Sequence, residues 1–179
     1  GDLPSANVAW LAAAADADIE SAFTQAKAQK KPLLLYWGAS WCPPCNQLKA
    51  TLFNRQEFAL QSKNFVAVFV DGDKPAAQKI GARFKVSGYP TMVLFTPEGS
   101  EITRLPGEAD APQVLSLLEA GLAGGRPIAA VLADARAGKP ITADELREIE
   151  RRVNRGVVTD QVVTAVTMPL AKAKELPGV

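Results

Sequence analysis

The sequence predicts an α/β fold, a mixed central sheet with helices on both faces, followed by an all-helical C-terminal appendage. Three observations carry this. Short apolar runs alternate with stretches of helical periodicity between residues 18 and 122, the order expected of strands joined by helical crossovers. The last two runs, 91–95 and 101–105, flank the turn segment Thr96-Pro97-Glu98-Gly99-Ser100, which makes them an antiparallel hairpin. Beyond the glycine-rich stretch 121–126 the strand-like runs cease, and alanine-rich or charged helical patterns take over.

Taken in order, residues 18–30 place Ile19, Ala22, Phe23 and Ala26 on one helix face, and Pro32 stops the helix. Leu33-Leu34-Leu35-Tyr36-Trp37, bounded by Pro32 and Gly38, reads as a buried strand. Residues 46–60 read as a helix with Leu48, Leu52 and Phe53 on one side. A strand over 65–70 ends at Asp71-Gly72-Asp73, a helix spans 75–84, and the hairpin follows. A helix over 111–122, with Val114, Leu117 and Leu118 inward, closes a first domain, 1–125. The appendage, 126–179, begins with an alanine-rich helix over 127–137. Thr142-Ala143-Asp144-Glu145 is a capping-box pattern with Thr142 as N-cap. The helix it opens has a narrow apolar stripe of Leu146, Ile149 and Val153, and a last helix interrupted by Pro169 is expected over 160–176.

Composition narrows the functions. Apolar residues make up 47% of the 179 positions and charged residues 22%, proportions that support a real core. A formal charge of +1 offers no basic excess for nucleic-acid phosphates or acidic lipid. No apolar run approaches the roughly 20 residues of a bilayer span, so stable membrane insertion is not expected. With no histidine, the chain lacks Ser/His and Cys/His dyads, and two cysteines fall short of the four ligands of a structural zinc site. No metal and no cofactor is expected, and a metallochaperone role is disfavoured by two methionines and no histidine. The start Gly1-Asp2-Leu3, without methionine, reads as the trace of a removed leader or tag, with a mature exported protein the preferred reading.

The chemistry concentrates in Trp41-Cys42-Pro43-Pro44-Cys45, between a buried strand and a helix. A helix start leaves backbone N–H groups unpaired and carries a partial positive charge, so a thiolate placed there is stabilised and its pKa falls. Cys42 occupies that position, and Cys45, three residues on, can close a disulfide with it. Pro43 is tolerated in the first turn, and two prolines stiffen the loop. A permanent staple closing so short a loop would stabilise weakly, which favours a working redox pair with Cys42 as the attacking and Cys45 as the resolving thiol.

The motif, together with Gly88-Tyr89-Pro90-Thr91 before an apolar strand, resembles the thioredoxin superfamily over about residues 15–122. The resemblance implies a thioredoxin fold and thiol–disulfide oxidoreductase activity toward protein thiols and disulfides, with reduction the leading expectation and a partner reductase or oxidase completing the cycle. It implies that Pro90 is cis, and that Trp41, Tyr89 and Pro90 face the substrate. The stretch from Ala26-Lys27 through Lys31-Pro32, and Thr51-Leu52-Phe53 leading through Phe58 to Asn64-Phe65, are most similar to periplasmic thioredoxin-like proteins, which implies a periplasmic setting with a cytoplasmic one as the alternative. The pattern also departs from the family. The buried aspartate usual six residues before the first cysteine is Tyr36 here, and Phe69 stands where its lysine partner is expected. Water, or a carboxylate such as Glu57 or Asp71, is expected to take the Cys45 proton instead. Disulfide isomerase or oxidase activity, and a binding adaptor docking through the helical tail, are the competing functions. Trp10 and Trp37 read as packing residues, Lys49 and Arg55 as solvated surface charges.

Overall fold

The computed structural model describes residues 3–122 and 125–154. Five strands form one mixed sheet in the order β1-β3-β2-β4-β5. They are β1 (Leu11–Ala12), β2 (Leu33–Gly38), β3 (Val66–Asp71), β4 (Thr91–Phe95) and β5 (Glu101–Pro106). β3 pairs parallel with β1 and β2, while β4 pairs antiparallel with β2 and β5. The helices of this part are α1 (Asp16–Gln29), α2 (Pro43–Leu48), α3 (Gln56–Gln61), α4 (Ala76–Arg83) and α5 (Ala111–Leu122).

Strand alternation distributes the core to two faces. Leu34, Tyr36, Ala67, Phe69, Met92 and Leu94 point into one layer, covered by Leu48, Leu52, Phe53 and Phe58 on one side and by α5 through Val114, Leu117 and Leu118. Leu33, Leu35, Trp37, Val66, Val68 and Val70 point the other way, against Ile19, Ala22 and Ala26 of α1 and Ala77 and Ile80 of α4. All six residues of β2 are buried, as a strand covered on both faces must be. Each large apolar side chain so buried contributes about 1.5–3 kcal/mol relative to exposure. Trp10 and Trp37 are both packing residues, at 6% and 0% exposure.

Local chemistry explains where the elements differ from the sequence pattern. Helix α1 begins at Asp16 rather than 18, because the Asp18 carboxylate accepts from the N–H groups of Ala14 and Ala15 at 2.8 and 3.0 Å. It ends at Gln29, with Lys30 as C-cap in the left-handed region (φ 55°) and the Lys31 N–H returning to Ala26 O at 3.0 Å to close the helix end. The single helix expected over 46–60 is two. After Leu48 the helix widens into a π-turn, Lys49–Phe53, with the Asn54 N–H donating to Lys49 O at 3.1 Å. Arg55 is then extended, and α3 starts afresh. The extra residue of the π-turn lets Leu52 and Phe53 both enter the core while Cys45 stays at the other end of the same helical run. Strand β1 was not anticipated. Its two residues carry no period of their own and are strand only because β3 offers them an edge.

The chain divides into two compact units, the first running to Gly125 and the second starting at Arg126. The described part of the second holds α6 (Ile128–Arg136) and α7 (Ala143–Asn154). Val131 and Ala135 of α6 pack with Ile141, Leu146 and Ile149. The capping box is present in both directions: Glu145 N–H donates to Thr142 Oγ1 at 3.1 Å, and Thr142 N–H to Glu145 Oε1 at 2.8 Å. Arg126 bridges Asp134 and Glu145, tying the two helices together by charge, and both carboxyls are held below their ordinary values. The side chain of Val153 and the helix expected over 160–176 lie outside the described residues.

Candidate active site: the Cys42–Cys45 pair

Strand β2 delivers the chain to Gly38 at the edge of the core, and Ala39-Ser40-Trp41 carries it over to α2. Cys42 is the N-cap of α2, in extended backbone, with Pro43 and Pro44 in the first turn. Its Sγ accepts the backbone N–H of Cys45 at 3.2 Å, the capping bond that serine or aspartate oxygen makes elsewhere. The two cysteines are joined as a disulfide with Cα atoms 5.2 Å apart, and are only 2% and 5% exposed. Ala39 and Tyr89 pack against the pair.

The loop before Cys42 is tied down from two sides. Asn46 Nδ2 donates to Ser40 O at 3.0 Å, and the Ser40 N–H donates to Asp73 Oδ2 at 3.2 Å. The Gly72 N–H donates to Gly38 O at 2.7 Å, and the Asp73 N–H to Asp71 Oδ1 at 2.9 Å. The turn after β3 therefore holds the cysteine loop in place. Hydrogen bonding from Ser40 keeps the Asp73 carboxyl below its ordinary value, so this tie is present at neutral pH and is lost as acid protonates Asp73.

Of the substrate-facing residues expected from the resemblance, Tyr89 packs against the cysteine pair and Trp41 stands beside Tyr89. Trp41 is 66% exposed, with its ring 6.0 Å from that of Tyr89. The Tyr89–Pro90 bond is cis, as the resemblance implies. Thr91 Oγ1 donates to Gly88 O at 2.7 Å, and the Gly107 N–H donates to Pro90 O at 2.9 Å, which fixes this corner to the hairpin. The Tyr89 ring lies against Gly72, where a Cβ would stand 2.6 Å from the ring and 3.0 Å from Gly38 O. Only glycine allows that approach. Burial, reinforced by Asp71 and Asp73, raises the Tyr89 hydroxyl above its ordinary value and keeps it neutral.

Behind Cys45 lies a cleft of about 100 Å³, walled by Tyr36, Ser40, Lys49, Asp71 and Asp73 as well as by the cysteine itself. Tyr36 does pair in register with Phe69, so the positions usual for the buried acid and its lysine are both aromatic. Its ring sits 4.9 Å from Phe53 and 5.8 Å from Phe69, and burial pushes its hydroxyl well above the usual phenol range. It is no base at neutral pH. Of the two alternative carboxylates, Asp71 is in the cleft wall, whereas Glu57 is exposed on α3 and is not part of that wall. Sequence reasoning missed Asp73 as an anchor of the cysteine loop, and read Lys49 as a plain surface charge. The Asp71-Gly72-Asp73 run was visible as a strand end, but its closeness to the cysteines comes from the parallel pairing of β2 with β3. Among the described residues no helix is long and apolar enough to cross a membrane.

Comparison with known proteins agrees with this geometry. Residues 19–122, more than half of the chain, match the family model of the thioredoxin-like domain. Thiol:disulfide interchange protein DsbD 2 of Pseudomonas aeruginosa is 32% identical over 111 residues, which is 60% of this chain and 19% of that protein. Thiol:disulfide interchange protein DsbD of Yersinia pestis is 33% identical over 98 residues, 52% of this chain and 16% of that protein. The matched segment thus spans less than a fifth of these relatives. Among solved structures, thioredoxin O2 from Arabidopsis thaliana in its oxidized state superposes with a TM-score of 0.53 at 21% identity, over 64% of this chain and 96% of its own. A putative disulphide-isomerase from Bacteroides thetaiotaomicron gives 0.53 at 24% identity, over 66% of this chain and 96% of its own. At these identities the two structures speak for the fold. The chain belongs to the thioredoxin-like family of thiol–disulfide oxidoreductases, with Cys42 and Cys45 as its cysteine pair.

Proposed function

We propose that this protein reduces protein disulfides through its Cys42–Cys45 dithiol. The Cys42 thiolate attacks one sulfur of a substrate disulfide and expels the other as a thiolate. Cys45 then attacks Cys42 Sγ, releases the second substrate thiolate and leaves the pair oxidised. A partner dithiol returns the two electrons. Trp41, Tyr89 and Pro90 receive the substrate chain beside the sulfurs.

The observation that carries the reducing direction is the first turn of α2. Strong oxidants in this chemistry are those whose reduced, thiolate form is unusually stabilised. Here Pro43 and Pro44 bring no N–H to the turn, the Cys45 N–H is the donor at Cys42 Sγ, and the chain has no histidine to place beside it. Modest thiolate stabilisation supports a couple that gives electrons away. Isomerase or oxidase activity would call for a more stabilised thiolate. A periplasmic setting is part of the proposal and rests on the resemblance to periplasmic thioredoxin-like proteins.

Residues 126–179 are assigned a role in partner choice, and not in thiol chemistry, because they contain neither cysteine nor histidine. A chain ending at Gly125 is expected to reduce a small model disulfide as fast as the full protein, and insulin with it. Measuring both rates beside those of the full chain, with refolding of scrambled ribonuclease as the isomerase assay, checks both assignments. Faster isomerisation than insulin reduction would overturn the reducing direction. Loss of the small-disulfide rate in a folded truncation would mean that the tail shapes the active site.

A further inference from the structure

Cys45 is 5% exposed and has little direct contact with bulk water to take its proton. It must nevertheless lose one to attack Cys42, because the thiolate and not the thiol is the nucleophile. The family's usual acceptor position is closed to this role, since Tyr36 is a buried phenol held protonated among Trp10, Phe53 and Phe69. What the fold provides instead is the cleft shared by Cys45 and the turn after β3. We infer that Asp71 accepts the Cys45 proton, through water in that cleft, as Cys45 resolves the mixed disulfide on Cys42.

Asp71 ends β3 directly opposite Gly38, the residue from which the cysteine loop departs. It is half-buried, and one carboxylate oxygen accepts the Asp73 N–H, which fixes the orientation of the group. About 100 Å³ is room for several waters, and Ser40, Asn46, Lys49 and Asp73 supply polar partners for them in the same wall. Asp73 is the weaker candidate, because hydrogen bonding from Ser40 holds its carboxyl below the ordinary value and makes it the poorer base. Other ionisable groups at this cleft are Lys49 on the π-turn, Tyr36 on β2 and Asp73 in the same turn, and the Tyr89 hydroxyl feels the Asp71 charge. Lys49 places a cation in the wall and is the group that would assist the departing proton electrostatically. Pro4, from the segment before β1, lines another side of the cleft. The step balances: the S–H bond of Cys45 breaks, Asp71 gains the proton through water, the new S–S bond joins Cys45 to Cys42, and the substrate sulfur leaves with the electron pair.

The inference rests on the roles proposed for the two cysteines, and the test separates the two claims. An aromatic disulfide that releases a coloured thiolate at each step gives one release for attack by Cys42 and a second for resolution by Cys45. In Asp71→Asn the first release is expected to be unchanged and the second slowed about 100-fold at pH 7, the lower end of general-base contributions. The lost rate should return at high pH, where hydroxide removes the proton, and Asp71→Glu should restore part of it. A second release with unchanged rate and pH profile overturns the inference. So does equal slowing of both releases, which would mark a general electrostatic effect. Should Asp71→Asn fail to fold, Asp71→Ser is read by the same criteria. A first release that survives in Cys42→Ser would instead overturn the cysteine roles, whatever Asp71 does.

Discussion

Replacing Cys45 with serine is expected to end turnover and leave substrate attached to Cys42. The argument begins at the helix start, where Cys42 Sγ accepts the Cys45 backbone N–H, a contact that serine at 45 retains because it is made by the main chain. Attack by Cys42 on a disulfide therefore proceeds, but no thiolate follows to displace the substrate. Incubation with a disulfide-bonded protein should convert nearly all of the variant to a mixed disulfide, visible as a mass increase that thiols reverse and assigned to Cys42 by peptide mapping. Cys42→Ser should form little adduct, since Cys45 lies inside the first turn and its sulfur does not cap the helix. An adduct that forms mainly on Cys45 in that variant would reverse the roles.

Restoring the family's acid by Tyr36→Asp is expected to destabilise strongly, and more so at high pH. Tyr36 is 2% exposed and packs against Trp10, Phe53 and Phe69, so its loss resembles a large-to-small core substitution, about 3–5 kcal/mol. The new carboxyl sits among these rings with Phe69 opposite in place of a lysine, and desolvation raises its pKa in the folded state. The unfolded chain deprotonates first, near pH 4, so folding weakens by about 1.4 kcal/mol per pH unit from there up to the folded pKa. Thermal melts of the variant and the parent protein at pH 4 and pH 8 test this. The deficit should be clearly larger at pH 8. Equal deficits would mean that the carboxyl reaches water, through the neighbouring cleft, and is not desolvated.

The sequence was most legible where a physical pattern is local. The five-residue apolar run between Pro32 and Gly38 leaves little choice but a strand buried on both sides, and matching it to 65–70 puts Tyr36 opposite Phe69. Thr142 and Glu145 announce a helix start that needs no tertiary context. The disulfide pair was legible for the same reason, being set by three residues of spacing at a helix end. What escaped depends on elements meeting across the fold. Leu11 and Ala12 are strand only by virtue of β3, and the break after Phe53 answers to packing that the apolar spacing of 46–60 does not reveal. The cleft is the clearest instance. Pro4, Tyr36, Lys49 and Asp71 are far apart in the chain, and nothing in their local sequence says that they enclose one space behind Cys45.

The equilibrium reduction potential of the Cys42–Cys45 couple, measured against a glutathione or dithiothreitol buffer, tests the central claim most directly. Two first-turn prolines and a capping bond from the Cys45 N–H predict a reducing couple, near the roughly −270 mV of thioredoxins. A value near −120 mV, the range of strong dithiol oxidants, would contradict it.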